Sequence, residues 1–520
     1  MSSSMYPRLK NIAKVTIPGI RKSLHHQAST LFKPFFGCST TSLRALNVGA
    51  ICLIYLLSYG ILRKLRKAQL QGPPVNMKPQ GKHAGIDDST IFSDANSALN
   101  IALFPPLFFF SALFYTDVMS TLVVLLNYSI LLSKRSVSSG ILMNCLEIFV
   151  AVVALFFRQT NIFWVAIFPA GLAVIDALKT NATSLTNKKA ESINGIIQES
   201  WTHGVIHDIA LQNADHQDYA LVLVTIAVAA IRSPLLVLKA VVPYLILLGL
   251  FASFVVWNGS VVLGDKSAHT ATIHVPQMLY IWPYIAFFSA PLVAGPLLYA
   301  TVPLLPNQVG TILKTNVRIP KFRGPPNLVI SSFFITGALL AVHYNTIIHP
   351  YTLADNRHYV FYVFRILRRH PSIKYLAVSA YYVSAWLVTN VLGASPSAPN
   401  DDRPLEKRDN WSPTNTARRC PPCQISFIIV WLAATTLSVV TAPLVEPRYF
   451  IIPWIIWRLH IRPVDASLST KRQTVSNSYD IRLALETVWL LALDATVIYV
   501  YLYRGFEWPS EPGKVQRFLW

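Results

Sequence analysis

The sequence predicts an all-α polytopic membrane protein, a bundle of about 11–13 transmembrane helices with no soluble catalytic domain. Three observations carry this. Of 520 residues, 53% are hydrophobic and only 13% charged, against roughly 25% charged in a soluble chain. The mean hydropathy is +0.43. The apolar residues also come in long blocks, and a spanning helix needs about 20 in succession. A soluble enzyme of this size, a disordered chain and a fibrous one are excluded by that composition.

Along the chain, runs long enough to span fall at 45–62, 98–116, 117–133, 140–157, 161–178, 236–256, 279–303, 327–345, 374–393, 424–443 and 483–503. Runs at 219–231 and 448–461 are ambiguous between spanning and not. Prolines inside the runs, such as Pro105, Pro106, Pro243 and Pro453, are tolerable where neighbouring helices satisfy the freed carbonyls. The chain divides into a basic, acid-free segment 1–44, atypical of a folded unit, a membrane domain 45–503 and a tail 504–520. Polar loops interrupt the membrane domain at 64–97, 179–218, 304–326 and 394–423. No internal repeat is evident.

The net charge is +21. Thirteen basic residues and no acidic one precede Asp87, which leaves 32 basic against 24 acidic thereafter. That later balance is ordinary for a polytopic protein whose cytoplasmic loops gather Lys and Arg, and it gives no support to a nucleic-acid partner. Basic loops at 63–67, 134–135, 188–189 and 314–323 read as cytoplasmic. The tips at 116–117, 158–161, 258–277 and 345–358 then share the opposite side, provided that 219–231 does not span. Cys52 and Cys145 read as inert core residues. Cys420 and Cys423 form a lone C-x-x-C that lacks the second pair of a zinc site, so a disulfide or no role at all is expected, and no metal. Of four N-x-[S/T] sequons, at Asn127, Asn181, Asn258 and Asn410, Asn258 and Asn410 lie in polar segments and are the glycosylation candidates, whereas Asn127 lies in a spanning run.

Charged residues beside membrane runs are costly, and they usually have a partner or a role. Three clusters qualify. The densest, 348–362, holds His349, Asp355, Arg357, His358 and three tyrosines. It suits an anion site with an aromatic lip, or an interfacial belt. The second, 446–460, holds Glu446, Arg448 and His460, with Glu446 and Arg448 able to pair. The third is Arg158 with its neighbours Gln159 to Asn161. No nucleotide-binding loop or hydrolytic triad signature is present.

These clusters also carry a resemblance. HPYTLADNRHYVFY (349–362), EPRYFIIPWIIWRLH (446–460), FRQTNIFW (157–164), FPPLFFFSALFYTD (104–117) and WNGSVVLGDKSAH (257–269) are similar to the eukaryotic dolichyl-phosphate-glucose-dependent α-1,2-glucosyltransferases of the endoplasmic reticulum. The resemblance covers roughly residues 41–520. It implies a multi-pass GT-C-type enzyme of that membrane, which adds the third and last glucose to the lipid-linked oligosaccharide for protein N-glycosylation. The implied donor is dolichyl phosphate glucose and the implied acceptor Glc2Man9GlcNAc2-PP-dolichol. The anomeric centre inverts, so one carboxylate acts as general base while cations hold the departing phosphate. No cofactor and no metal are expected, because the leaving phosphate is already anionic. Arg158, His349, Asp355, Arg357, His358 and Arg448 are the expected substrate-binding residues.

One part of the family pattern is not found. Family members place a spanning helix and an acidic D-E-x-F-H-type loop near the start, whereas this sequence has no acidic residue before Asp87 and no spanning run before residue 45. Val15 to Gly19 is only a weak echo of the stretch that follows that loop. Three readings stay open: a sequence whose first exon is replaced, a catalytically inactive relative or membrane regulator, or another carboxylate serving as base. For the last, Asp117 is the first choice, ahead of Asp265 and Asp355. A transporter or channel is the alternative from another class, although the paired broken helices of such proteins are not seen.

Overall fold

In the computed structural model, which describes residues 39–70, 89–113, 115–136, 140–182, 192–261, 272–301, 324–348, 350–394, 423–442, 444–463 and 479–520, unbroken apolar runs become helices. In hydrocarbon a backbone must satisfy its polar groups within its own segment. The order is α1 (Thr40–Leu70), α2 (Ser89–Ala102), α3 (Pro105–Ser111), α4 (Thr116–Ser136), α5 (Ile141–Phe157), a 3-10 turn (Gln159–Asn161), a π turn (Phe163–Ile167) running into α6 (Phe168–Asn181), α7 (Ile193–His203) and α8 (His216–Arg232). Then come α9 (Pro234–Asn258), α10 (Gln277–Phe288), α11 (Ala290–Val293), α12 (Gly295–Thr301), α13 (Leu328–Tyr344), α14 (Pro350–Ala354), α15 (Tyr359–Leu367), α16 (Ile373–Gly393) and α17 (Ile425–Val440). A further 3-10 turn (Pro447–Phe450), α18 (Ile451–Leu459), α19 (Ile481–Tyr503) and a two-stranded antiparallel hairpin, β1 (Phe506–Glu507) with β2 (Val515–Gln516), follow.

Among the described residues, six helices are long and apolar enough to cross a membrane: those within α1, α4, the 159–181 unit, α9, α16 and α19. The unit 277–298, bent by 93° between α10 and α11, makes a seventh, and α5, α13 and α17 are shorter apolar helices. Two further predicted runs take other forms. The run at 98–116 is split into α2 and α3, because Pro105 and Pro106 lack the N–H groups an unbroken helix needs. The run at 448–461 becomes α18, only nine residues long and buried along almost its whole length. It is apolar because it threads the bundle interior, not because it faces lipid.

The run at 219–231 does not cross. The Ser200 hydroxyl donates to the carbonyl of Thr225, the His207 N–H donates to the Thr225 hydroxyl, and the His207 ring meets Asp218 at 2.8 Å. Ala229, near the end of α8, packs with Ile206 and Leu178. Its start, middle and end all contact 200–207, so α8 lies across one face of the bundle. On that lower face Arg63 and Arg66 pair with Asp94 at 3.2 and 2.5 Å, Lys134 pairs with Glu147 at 2.6 Å, and Lys179 pairs with Asp208. The predicted cationic loops and the predicted tips therefore fall on opposite faces. Loops 188–189 and 314–323 lie outside the described residues.

The core is aromatic. Phe104 stacks on Trp454 with ring centroids 3.9 Å apart. The three fully buried indoles find acceptors: Trp431 donates to Pro453 O, Trp454 to the Ser289 hydroxyl and Trp457 to Val388 O. That satisfies the polar edge of each ring inside an apolar interior. Helices α6 and α17 approach closely at Gly171, where an added Cβ would meet Val430 at 2.8 Å.

The sequence expectation for two cysteines is corrected. Cys52 and Cys145 are exposed on the outside of the bundle, not in its core. Thiols behave as small apolar groups and are as compatible with lipid as with protein. Cys423 is free and buried on the lower face, beside Leu211, whose N–H it accepts through its carbonyl. Burial, above all, pushes its thiol up to about 12, which leaves it unreactive. Cys420 lies outside the described residues.

Candidate active site

The upper face gathers two half-sites. The first is built where α5 ends and α4 begins. Arg158 leaves the helix in extended conformation and binds Asp117 in the first turn of α4. Its guanidinium also lies 5.1 Å from the centre of the Tyr449 ring, and Arg448, bound to Glu446, lies 5.9 Å from the same ring. Asn161 holds the turn in place by donating to the Ser120 hydroxyl and to Ala154 O, both at 2.8 Å. Burial works against the charge of Arg448, but Glu446 overrides it and its pKa is raised. Burial, reinforced by Glu446, pushes the Tyr449 hydroxyl up to about 12. A recess of about 20 Å³ lies among Arg158, Asn161, Trp164, Arg448 and Tyr449, which is room for about one water.

The second half-site follows α14. Asp355 accepts from Arg357 Nε at 2.9 Å, Nη2 at 2.7 Å and the backbone N–H at 3.0 Å. Burial would raise the Asp355 carboxyl, but these bonds prevail and hold it below its usual range. The C-terminal hairpin clasps this half. Arg357 donates to Gln516 Oε1 at 3.2 Å and stacks 4.8 Å from the Trp508 ring, and Trp508 donates to Asn356 at 2.7 Å. The His358 ring bonds the carbonyl of Trp520 at 2.9 Å, and Leu519 exchanges backbone bonds with Arg357 and Tyr359.

Between the halves opens a cavity of about 290 Å³, lined by Thr352, Asp355, His358, Glu446, Pro447 and Trp520 among others. Glu446 gives only Oε2 to Arg448. Its Oε1 has no hydrogen-bond partner among the described residues. Cationic forks, a free carboxylate oxygen and aromatic rings at the mouth of a membrane bundle can hold a phosphorylated sugar and accept a proton from a hydroxyl.

A knot at 272–277 sets the spacing of the two halves. The His274 N–H donates to Val440 O at 2.9 Å, and its Nε2 accepts from the Ile347 N–H at 3.3 Å. Gln277 donates to Ala442 O at 2.6 Å, and the Val275 N–H donates to Asn345 Oδ1 at 2.6 Å. Burial lowers the His274 pKa to about 4. The unfolded chain, near 6.5, then takes up the proton first, so stability is complete above about pH 6.5 and falls as pH drops towards 4. The expected loss by pH 4 is on the order of 3 kcal/mol. Thermal unfolding of the detergent-solubilised protein from pH 7 to 4 measures it, and His274→Gln should flatten that dependence.

The structure thus brings together Asp117, Arg158 and Arg448 in one half, and Asp355, Arg357 and His358 in the other. Asp117, expected as base, is buried, with one oxygen bound to Arg158, and it lines neither recess. Asn258 ends α9 on this face, its side chain bonded to Ser260 O at 2.8 Å. His349, Asp265 and Asn410 lie outside the described residues. Sequence reasoning noticed Glu446 but read it as the partner of Arg448, and missed Trp508, Trp520 and the knot at His274. Their one signal is aromatic and polar content in a tail and loop that composition alone would leave idle.

A model of the DIE2/ALG10 family matches residues 15–459. A relative from Aspergillus fumigatus, named Dol-P-Glc:Glc(2)Man(9)GlcNAc(2)-PP-Dol alpha-1,2-glucosyltransferase, is 38% identical over 92% of this chain and 84% of its own length. One of the same name from Emericella nidulans is 38% identical over 82% of this chain and 78% of its own, and one from Mus musculus is 28% identical over 93% and 81%. No solved structure matches. With a family model spanning most of its length and relatives this similar end to end, the chain belongs to the DIE2/ALG10 family.

Proposed function

We propose that this protein is a membrane-embedded α-1,2-glucosyltransferase that moves glucose from dolichyl phosphate glucose to Glc2Man9GlcNAc2-PP-dolichol. It completes the lipid-linked oligosaccharide for N-glycosylation at the endoplasmic reticulum membrane. The observation that carries the reading is the cavity between Asp355–His358 and Glu446–Pro447, placed at the end of a polytopic bundle in a chain of this family. A transporter or channel reading has no such support.

In the reaction, the 2-hydroxyl oxygen of the acceptor's terminal glucose attacks the anomeric carbon on the face away from the phosphate. The carbon–oxygen bond to dolichyl phosphate breaks, its electron pair stays on the phosphate, and the configuration inverts. Glu446 takes the hydroxyl proton on its free Oε1. Arg357 and Arg448, steadied by Asp355 and Glu446, face the charge gathering on the departing phosphate, with His358 as a further donor. Arg158 holds Tyr449 against Arg448, and Asp117 orients Arg158. The phosphate leaves as an anion that two guanidinium forks can match, so the reading calls for no metal or cofactor.

The test is glucosyl transfer in membranes that lack their own activity, with both lipid substrates supplied. Arg357→Ala should lower turnover by about a hundredfold or more, and Arg357→Lys should recover only part of it, because a point charge replaces a fork. Full transfer by Arg357→Ala would remove this residue from the mechanism, and no transfer by the native protein would overturn the function.

A further inference from the structure

The three arginines of the two half-sites are already matched: Arg158 by Asp117, Arg357 by Asp355 and Arg448 by Glu446. A run of three further cations lies at the end of the next helix. Arg365, Arg368 and Arg369 are exposed, and none of them forms an ion pair among the described residues. Helix α15, which leads to them, is amphipathic. Phe364 is buried, 6.0 Å from the Tyr280 ring, whereas Val363 and Ile366 are 54% and 61% exposed. The spanning helix α16 starts at Ile373, so Arg365 to Arg369 sit at the level of lipid headgroups. Their charge lies on the face opposite the loop cations Arg63, Arg66, Lys134 and Lys179, where a topology signal would not place it.

We propose that Arg365, Arg368 and Arg369 form a docking surface for the diphosphate of the lipid-linked acceptor. The proposal rests on the glucosyltransferase reading. The reaction brings two anionic lipids to one face, a monophosphate donor and a diphosphate acceptor. The acceptor's glycan reaches into the cavity while its diphosphate stays at headgroup depth. A diphosphate needs several forked donors that no carboxylate has claimed, and these three are such a set. Val363 and Ile366, exposed beside them, offer apolar surface to the first part of the prenyl chain. Arg365 sits in the last turn of α15, which is about 13 Å long at 1.5 Å per residue, and Arg368 and Arg369 follow its end, whereas Arg357 precedes its start, so the two phosphate sites are distinct.

The experiment uses the full chain in nanodiscs of phosphatidylcholine alone, and compares native protein with the triple variant Arg365→Gln, Arg368→Gln, Arg369→Gln. The expected result is a rise of about tenfold or more in KM for the lipid-linked acceptor, with KM for the donor within about twofold. The glycan released from its diphosphate should be used equally poorly by both proteins, and the corresponding triple Lys variant should recover part of the loss. Binding of a short prenyl diphosphate chitobiose, measured without turnover, should weaken in parallel. An unchanged acceptor KM overturns the proposal, as does a rise in donor KM instead. A loss that appears only when phosphatidylserine is added assigns the surface to bulk headgroups and also overturns it. Native protein that binds the prenyl diphosphate probe, loses that binding in the triple variant, and transfers no glucose supports the surface while the function itself fails.

Discussion

Glu446→Gln is expected to lower kcat by about 10²–10⁴-fold, the range for loss of a positioned general base, with little change in donor KM. The amide keeps an oxygen for Arg448, so the cation and the 447–450 turn stay in place, and the variant separates proton transfer from architecture. Single-turnover transfer with both lipids saturating is the measurement. Asp117→Asn is the matched control. Asp117 lines neither recess and acts on Arg158, so its amide variant should keep turnover within about tenfold of native. The reverse ranking, with Asp117→Asn the dead variant, would return the base to Asp117 and leave Glu446 as an anchor for Arg448.

Glu486→Leu should be among the most destabilising single changes in the chain. Arg458 is fully buried and binds Glu486 through Nε at 2.8 Å and Nη2 at 2.5 Å, and Asn100 adds a bond to Glu486 at 2.7 Å. Removing the carboxylate strands a guanidinium in a dry core, a cost of about 3–5 kcal/mol. The double variant Arg458→Met with Glu486→Leu should regain most of that, since apolar side chains of similar volume often replace a buried pair without loss. Thermal unfolding in detergent reads both. Because Arg458 lies on α18, directly after the 447–450 turn, the single variant should also lose glucosyl transfer, and the double variant should recover it in step with its stability. A single variant as stable as native would show that the pair contributes nothing to holding α18.

The spanning helices were legible because the bilayer imposes its rule residue by residue: about 20 apolar positions in sequence, with every backbone bond made locally. That rule fails where an apolar run faces protein. At 448–461 the core residues Trp454 and Trp457 make the segment as greasy as a lipid-facing helix, yet α18 is enclosed by its neighbours. At 219–231 the run is apolar, but Thr225 and Asp218 are spent on the 200–207 segment, which keeps α8 on the lower face. At 98–116 a proline pair splits a run that averaged hydropathy treats as continuous.

The candidate site shows the same division. Arg158, Arg357 and Arg448 stood out in the sequence because a guanidinium beside a membrane run is costly. Asp355 with Arg357, and Glu446 with Arg448, are pairs two residues apart and were readable from spacing. The contact of Arg158 with Asp117, 41 positions away, and the clasp of Trp520 on His358, 162 positions away, were not. Nothing local in either partner names the other. Composition and local spacing thus settle that this chain is a multi-pass helical protein with charged tips on one face, because hydrocarbon and ion desolvation act on each segment alone. Which carboxylate lines the cavity, and which arginines of the half-sites are matched from afar, is settled by packing, because a charge is neutralised by whatever the fold brings within about 4 Å, near or distant in the chain.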